Sequence, residues 1–130
     1  MEGIKTDIVN LLYGDDKTGF IKYGRTYHGF RDIHKNPFVT YTLEGSFSAL
    51  LSPEDSWVVN KHSPDGFEWG YRGSGPAQLA LALLLEHYRN GVPEKYYQEV
   101  KSILIGALPE DGWSMDETEI RDTVEEVKEK

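Results

Sequence analysis

Hydrophobic residues follow a strand-like pattern in the first half of the chain and a helix-like pattern in the second half. From Phe20 to Tyr71, short runs of aromatic and β-branched residues alternate with turn-forming residues, which is typical of strands. The short connections favour antiparallel pairing, because parallel strands need a crossover of about a dozen residues or more. We therefore predict an antiparallel β-meander of about four to six short strands over residues 20–71.

Two of the predicted connections are tight turns. Gly24-Arg25 stands between two of the runs, and Ser63–Gly66 carries Pro and Gly at positions that suit a turn. We expect the second turn to close a hairpin with Phe67, Trp69 and Tyr71 on one face. The predicted strands are residues 20–23, 26–30, 38–43, 47–51, 57–61 and 67–71.

After Tyr71 the pattern predicts helices over residues 76–90, 93–108 and 114–128. The first is rich in Leu and Ala and apolar on every side, so we expect it to be buried. Ser114 and Glu117 have the spacing of a capping box at the start of the last helix. Strands followed by helices indicate an α+β fold with the helices packed on one face of the sheet.

The length of 130 residues fits a single domain over residues 1–130. Residues 1–13 fit either a short helix or a strand, and 109–130 form an acidic C-terminal segment that we expect to dock loosely. The chain has no cysteine, which excludes disulfides, thiolate metal sites and a cysteine nucleophile. Neither a signal sequence nor a long apolar run is present, so we expect a cytoplasmic protein with no membrane partner.

The net charge of −8 is distributed unevenly. Residues 109–130 hold nine acidic and three basic residues, whereas residues 17–35 hold five basic residues and one acidic residue. Basic and aromatic residues on a sheet can bind single-stranded nucleic acid. The overall charge opposes binding to a polyanion, so nucleic-acid binding by residues 17–35 stays an alternative that the sequence disfavours.

Residues 67–78 join the last predicted strand to the buried helix and are rich in glycine. In one interpretation, the helix N-terminus binds a small anion or a nucleotide, Arg72 supplies charge, and Trp69 or Tyr71 stacks on the ligand. In the other, which we favour, this is a tight turn with the aromatic residues in the core, and Ser74 or Gly75 is the N-cap. The candidate binding residues are Glu68, Trp69, Tyr71, Arg72, Gly73, Ser74 and Gly75.

Residues 63–80 contain a Ser-Pro-x-Gly turn followed by Phe-Glu-Trp-Gly-Tyr-x-Gly-Ser-Gly-Pro-Ala-x-Leu-Ala. In this the chain resembles a family of short uncharacterised proteins scattered among phages, plasmids, bacteria and archaea. The resemblance extends over roughly residues 20–125, and the family often has Gly at the position of Arg72. It implies no known reaction, but it suggests a mobile element as the source and an accessory or anti-defence role.

No residues have the spacing of a catalytic site or a metal site. Two histidines, His28 and His34, together with Asp32 would be a conceivable but weak set of metal ligands, because a site needs three or four converging side chains. His87 lies late in a predicted helix, where we expect it to face solvent or favour the helix dipole. We predict no catalytic residue, metal or cofactor, and we lean against an enzyme.

The predicted function is that of a small binding or regulatory protein that acts through contact with another protein. The alternatives are a protein that binds a small anion or nucleotide at Gly73–Pro76, and a nucleic-acid-binding module. A homodimer is a further option, since the aromatic content leaves room for a self-association surface.

Overall fold

The computed structural model describes residues 17–43 and 47–130, and these residues form an α+β fold, as predicted. The strands are β1 (Arg25–Arg31), β2 (Pro37–Leu43), β3 (Ser48–Leu51) and β4 (Trp113–Asp116). The helices are α1 (Glu54–Val59), α2 (Ser74–His87), α3 (Val92–Ile103) and α4 (Glu117–Lys128), with a 3₁₀-helix at Ile105–Ala107. The interpretations of residues 1–13 lie outside the described residues.

The four strands form one antiparallel sheet in the order β3-β2-β1-β4. The first three strands make the predicted meander, and β4 returns from the helical half to pair with β1. Tyr27 stands at the centre, opposite Tyr41 of β2 and Met115 of β4. Because side chains alternate across a strand, Tyr27, Val39 and Met115 all point to the same face, where they are buried.

Helix α2 is the central helix of the fold. Every residue from Gly75 to Leu84 is buried, which agrees with the prediction of a helix that is apolar on all sides. The buried side of α4, with Ile120 and Val124, belongs to the same core as α2 and the covered face of the sheet. None of the described helices is long and apolar enough to cross a membrane.

The predicted hairpin over residues 57–71 is wrong. Residues 54–59 form helix α1, and residues 60–73 contain no helix or strand. Pro53 stands at the N-cap, and two acidic residues in the first turn favour the helix dipole. Within the described part of residues 20–71 the sheet has three strands, and its fourth comes from residues 113–116.

The predicted strand at residues 20–23 is also wrong, because this segment follows the helices rather than the sheet. The N–H of Ile21 donates to the carbonyl of His87 (2.8 Å). The Phe20 ring is buried and stacks on the His87 ring, with centroids 4.6 Å apart. Residues 20–24 therefore pack against the end of α2 before the chain enters β1 at Arg25.

The predicted capping box at Ser114 and Glu117 does not form. Ser114 belongs to β4, and Asp116 is the N-cap of α4, where its carboxylate accepts from the N–H of Thr118 (2.8 Å). The Glu117 carboxylate instead accepts from three successive backbone N–H groups, those of Tyr23, Gly24 and Arg25. These long-range partners satisfy the buried Glu117 in place of the cap.

Most helix ends differ from the predicted ones. Helix α3 ends at Ile103, five residues before the predicted end, because the chain continues to Ala107 as a 3₁₀-helix rather than as α-helix. The N-cap of α2 is Gly73 instead of the predicted Ser74 or Gly75. Differences of one or two residues, as at this N-cap, are common at helix ends.

Candidate functional site

Trp69 is a buried residue of the segment that precedes α2. Its side chain is 1% exposed, and its indole N–H donates to the carbonyl of Glu110 (3.0 Å). The Trp69 ring also meets the Trp113 ring edge-on, with centroids 5.5 Å apart. Trp69 is therefore a core residue whose polar edge is satisfied by the backbone, which agrees with the tight-turn interpretation for this residue.

Arg31, at the end of β1, connects the segment before α2 to the sheet. Its guanidinium makes a bidentate pair with Glu68 (2.8 and 3.1 Å), and its Nε donates to the carbonyl of Glu110 (2.8 Å). The same group lies over the Trp69 ring, 4.7 Å from the centroid. The hydrogen bonds with Glu68 raise the pKa of Arg31, so the guanidinium stays charged at all ordinary pH values.

An open cleft of about 390 Å³ lies over the Arg31–Glu68 pair. Three of the predicted site residues line it, namely Glu68, Trp69 and Tyr71. Tyr71 is 52% exposed and belongs to this lining, so the expectation that the aromatic residues of the motif lie in the core is wrong for Tyr71. The full lining consists of Arg31, Lys35, Glu68, Trp69, Gly70, Tyr71, Glu110 and Asp111.

The remaining predicted site residues, Arg72 to Gly75, are not in the lining of this cleft. The side chain of Arg72 packs against Gly106 of the 3₁₀-helix. Gly75 is buried, and a Cβ at this position would lie 2.6 Å from the Cβ of Glu68. Gly75 thus permits close packing, and Glu68 fills the space beside it at the start of α2.

The sequence did not identify Arg31, Lys35, Glu110 and Asp111 as cleft residues, because they come from two distant turns and a strand end. One signal was available for Arg31. It lies four residues after Tyr27 in a strand, so period-two alternation places it on the same face as that buried tyrosine. No comparable pattern marks Glu110 and Asp111, which look like ordinary turn residues.

The second candidate surface is the open face of the sheet, which no described helix covers. Phe30 is 47% exposed, Phe38 is 37% exposed and Leu50 is 64% exposed. The Phe30 ring stacks between His28 (centroids 6.0 Å) and Phe38 (centroids 5.5 Å). The outward-facing residues of the four strands are Thr26, His28, Phe30, Phe38, Thr40, Thr42, Ser48, Leu50, Ser114 and Asp116.

His28 is fixed at the centre of this open face. One ring nitrogen is 2.8 Å from the Ser114 hydroxyl, and the other is 3.2 Å from the Thr42 hydroxyl. These partners belong to the strands on either side of β1, so the imidazole bridges across the sheet. The open face therefore combines apolar rings with a satisfied polar network.

The basic segment 17–35 does not present all its cations on one surface. Arg25 and Arg31 both point to the covered side of β1 and pair with Glu86 (2.7 Å) and Glu68 (2.8 Å), respectively. The Arg25 guanidinium also lies 4.1 Å from the centroid of the Tyr41 ring. Aromatic and basic residues therefore share the covered face.

His87 is completely buried, which corrects the expectation that it faces solvent. Its Nδ1–H donates to the carbonyl of Ile21 (2.7 Å), and its Nε2 accepts from the Tyr27 hydroxyl (2.8 Å). Burial lowers the pKa of His87, so the ring is neutral at pH 7. Among the described residues, no three His, Asp or Glu side chains are arranged to hold a metal ion.

Comparison with known proteins places the chain in a family but assigns no activity. The model of a family of unknown function, DUF6166, matches residues 27–126, which is more than three quarters of the chain. The match begins within β1 and ends near the end of α4, so it includes the whole described sheet apart from Arg25 and Thr26. No curated protein and no solved structure matches.

Proposed function

This chain belongs to the DUF6166 family of unknown function, and from its structure we propose that it is a non-enzymatic binding protein that contacts a protein partner through the open face of its sheet. One observation carries the proposal. Of the ten outward-facing strand residues, Asp116 alone is charged, although 28% of the residues in the chain are charged.

This composition is typical of a protein interface. Charged residues are depleted at the centre of interfaces, and aromatic residues are enriched there. Phe30, Phe38 and Leu50 provide exposed apolar area on a surface that the strands hold rigid. Because a pre-organised surface loses little freedom on binding, it supports affinity better than a mobile loop of equal area.

The second candidate function is binding of single-stranded nucleic acid. The stacked rings of His28, Phe30 and Phe38 favour it, because bases stack on aromatic side chains exposed on sheets. Phosphate contacts supply most of the affinity of such proteins, and the ten outward-facing residues include neither Lys nor Arg. We therefore rank a protein partner first.

A small-anion or nucleotide site at Gly73–Pro76 has less support. Glu68 already fills the space beside Gly75, and Arg31 is engaged by Glu68 and by the carbonyl of Glu110. A screen of nucleotides and sugar phosphates by thermal shift tests it. A ligand present at about 100 times its dissociation constant would stabilise the fold by about 2.7 kcal/mol.

The cytoplasmic location and the association with a mobile element stay proposals too. The proposed location rests on a composition without cysteine, which fits a reducing compartment, and the proposed mobile-element association rests on the resemblance around residues 63–80. An anti-defence role would follow if the partner were a host defence protein. Sequencing the genes around several family members would test the mobile-element association directly.

Site-specific photo-crosslinking tests the protein partner. A benzoylphenylalanine at Thr40 samples the centre of the open face, and one at Val58, an exposed position on α1, is the matched control. In cells that naturally carry the protein, we expect one discrete protein adduct from position 40 and none from position 58. An adduct with nucleic acid at position 40 would favour the second candidate instead.

The identified partner is then purified and its affinity is measured by calorimetry. We expect Phe30→Ser to weaken binding at least tenfold, as expected for a central aromatic residue, whereas Val58→Ser leaves it unchanged. Equal affinity of the wild type and Phe30→Ser would contradict the proposal, because binding would then not involve the open face.

A further inference from the structure

We propose that the cleft over the Arg31–Glu68 pair binds a positively charged side chain, arginine or lysine, of the protein partner. This inference rests on the proposed function for the identity of the partner. In addition to the apolar contact through the open face, the partner would make a charged contact at the end of the sheet where β1 and β2 are joined. The contact would add a charged anchor to an open face on which Asp116 is the one charged strand residue.

The inner layer of the cleft, formed by Arg31, Glu68 and Trp69, already holds a cation that belongs to the chain itself. The Arg31 guanidinium lies between the Glu68 carboxylate (2.8 Å) and the face of the Trp69 ring (4.7 Å). Carboxylates and aromatic faces are the groups that proteins use to hold cations. Arg31 is neutralised by its partner, so it does not repel a second cation placed outside it.

The outer layer, formed by Tyr71, Glu110 and Asp111, repeats the combination of an aromatic residue with carboxylates, and Lys35 is the one further cation in the lining. Tyr71 is 52% exposed, and Tyr71, Glu110 and Asp111 are exposed members of the lining. Within residues 17–43 and 47–130, no ion pair is formed by Glu110 or Asp111, and no cation lies over Tyr71. A cation from outside the chain fits this arrangement.

The charge of the lining agrees with a cationic ligand. Glu68, Glu110 and Asp111 contribute three carboxylates, whereas Arg31 and Lys35 contribute two positive charges. The lining therefore has an excess of one negative charge. This excess and the engaged Arg31 disfavour an anionic ligand at the same place.

The outer carboxylates are held in position before any ligand binds. The carbonyl of Glu110 accepts from the Arg31 Nε (2.8 Å) and from the Trp69 indole (3.0 Å). Gly70 has a positive φ of 84°, and a Cβ there would lie 3.3 Å from the carbonyl of Leu108. These contacts anchor the turn that carries Glu110 and Asp111, which reduces the entropy lost on binding.

The cleft and the open face lie close enough for one partner to reach both. Phe30 and Phe38 form the last pair of opposed side chains on the open face, and Arg31 follows Phe30 directly. Lys35, in the turn between β1 and β2, lines the cleft. A partner segment that covers the Phe30–Phe38 pair and continues past this turn would therefore reach the cleft.

The test is an NMR titration of the full-length protein with N-acetylarginine amide, using N-acetylcitrulline amide as an uncharged probe of nearly the same shape. We expect saturable shifts for the Trp69 indole N–H and the amides of Gly70, Tyr71 and Gly112. The expected dissociation constant for so small a cation is on the order of 1–10 mM. The citrulline probe should produce no saturable shift at these positions.

Two double variants separate local charge from overall charge. Glu110→Gln with Asp111→Asn removes the two carboxylates of the outer layer, and we expect at least fivefold weaker binding of the arginine probe. Glu54→Gln with Asp55→Asn removes two adjacent exposed carboxylates elsewhere, in α1, and should leave binding unchanged. Tyr71→Leu should weaken binding about threefold, and Tyr71→Phe should retain it.

Equal shifts with both probes, or equal affinities of the two double variants, would overturn the inference. So would the absence of saturable shifts up to about 50 mM arginine probe. These results do not depend on the open face. Partner binding that survives Phe30→Ser while the cleft still takes arginine would refute the proposed function alone, so the two failures are distinguishable.

Discussion

The two faces of the sheet are formed by the same strands but differ in how far their side chains are buried. On the covered face, Tyr27, Val39 and Met115 are buried beneath the helices, and the Tyr27 hydroxyl has a partner within the chain. On the open face, Phe30 and Phe38 remain accessible although they are as apolar as the core. Adjacent residues in one strand therefore experience different environments.

The difference separates residues that stabilise the fold from residues available for binding. Burial of an apolar side chain contributes to folding in proportion to the area removed from water. Phe30 and Phe38 contribute part of this at most, and under the proposed function their exposed area contacts a partner instead. Substitutions on the two faces should consequently have unlike effects on stability.

The largest effect is expected from Gly29→Ala on the covered face. A Cβ at Gly29 would overlap the Trp113 indole that lies over it from β4. Overpacking of this kind lowers the free energy of unfolding by about 1–3 kcal/mol, which urea denaturation measures. In the Trp113→Leu background the same change should be less harmful. Equal losses in both backgrounds would contradict steric overlap as the cause.

An intermediate effect that depends on pH is expected from His87. Because burial lowers its pKa in the folded state, the unfolded chain takes up a proton more readily as the pH falls below about 6.5. The free energy of unfolding should then decrease by up to about 1.4 kcal/mol per pH unit toward the folded-state pKa. Above pH 7 this contribution is fully present.

The matched control is His87→Gln, which lacks the titrating ring but leaves the other three histidines in place. Denaturation of both proteins between pH 5 and 7.5 isolates the contribution of His87. A constant difference in stability over this range would mean that protonation of His87 does not oppose folding.

The smallest effect on stability is expected on the open face. Phe38→Thr should change the free energy of unfolding by no more than about 0.5 kcal/mol, because threonine suits a strand and the ring is accessible. Val39→Thr, the adjacent substitution on the covered face, should cost about 1–3 kcal/mol by burying a hydroxyl. Similar losses for the two variants would show that the open face is in fact covered.

Local sequence pattern was sufficient for the elements with a single dominant signal. The Leu- and Ala-rich run predicted α2, and the β-branched run before Leu43 predicted β2. It was insufficient where strand and helix propensities are balanced. Residues 57–61 contain Trp and two Val, yet the preceding Pro53, Glu54 and Asp55 begin a helix that continues to Val59.

Prediction of the candidate cleft was partial for a related reason. Glu68, Trp69 and Tyr71 were identified because they lie in one glycine-rich motif. Glu110 and Asp111 are about forty residues away along the chain, and their position depends on hydrogen bonds from Arg31 and Trp69. Nothing in their own neighbourhood indicates those long-range partners.

The α+β class and the buried central helix could be read from the sequence, since these follow from periodicity and from residues with narrow conformational preferences. Only the tertiary structure shows that residues 113–116 return to the sheet, that His87 is buried and that no described helix covers the second face of the sheet. These outcomes depend on contacts between distant parts of the chain, and local propensity carries no information about which distant groups will meet.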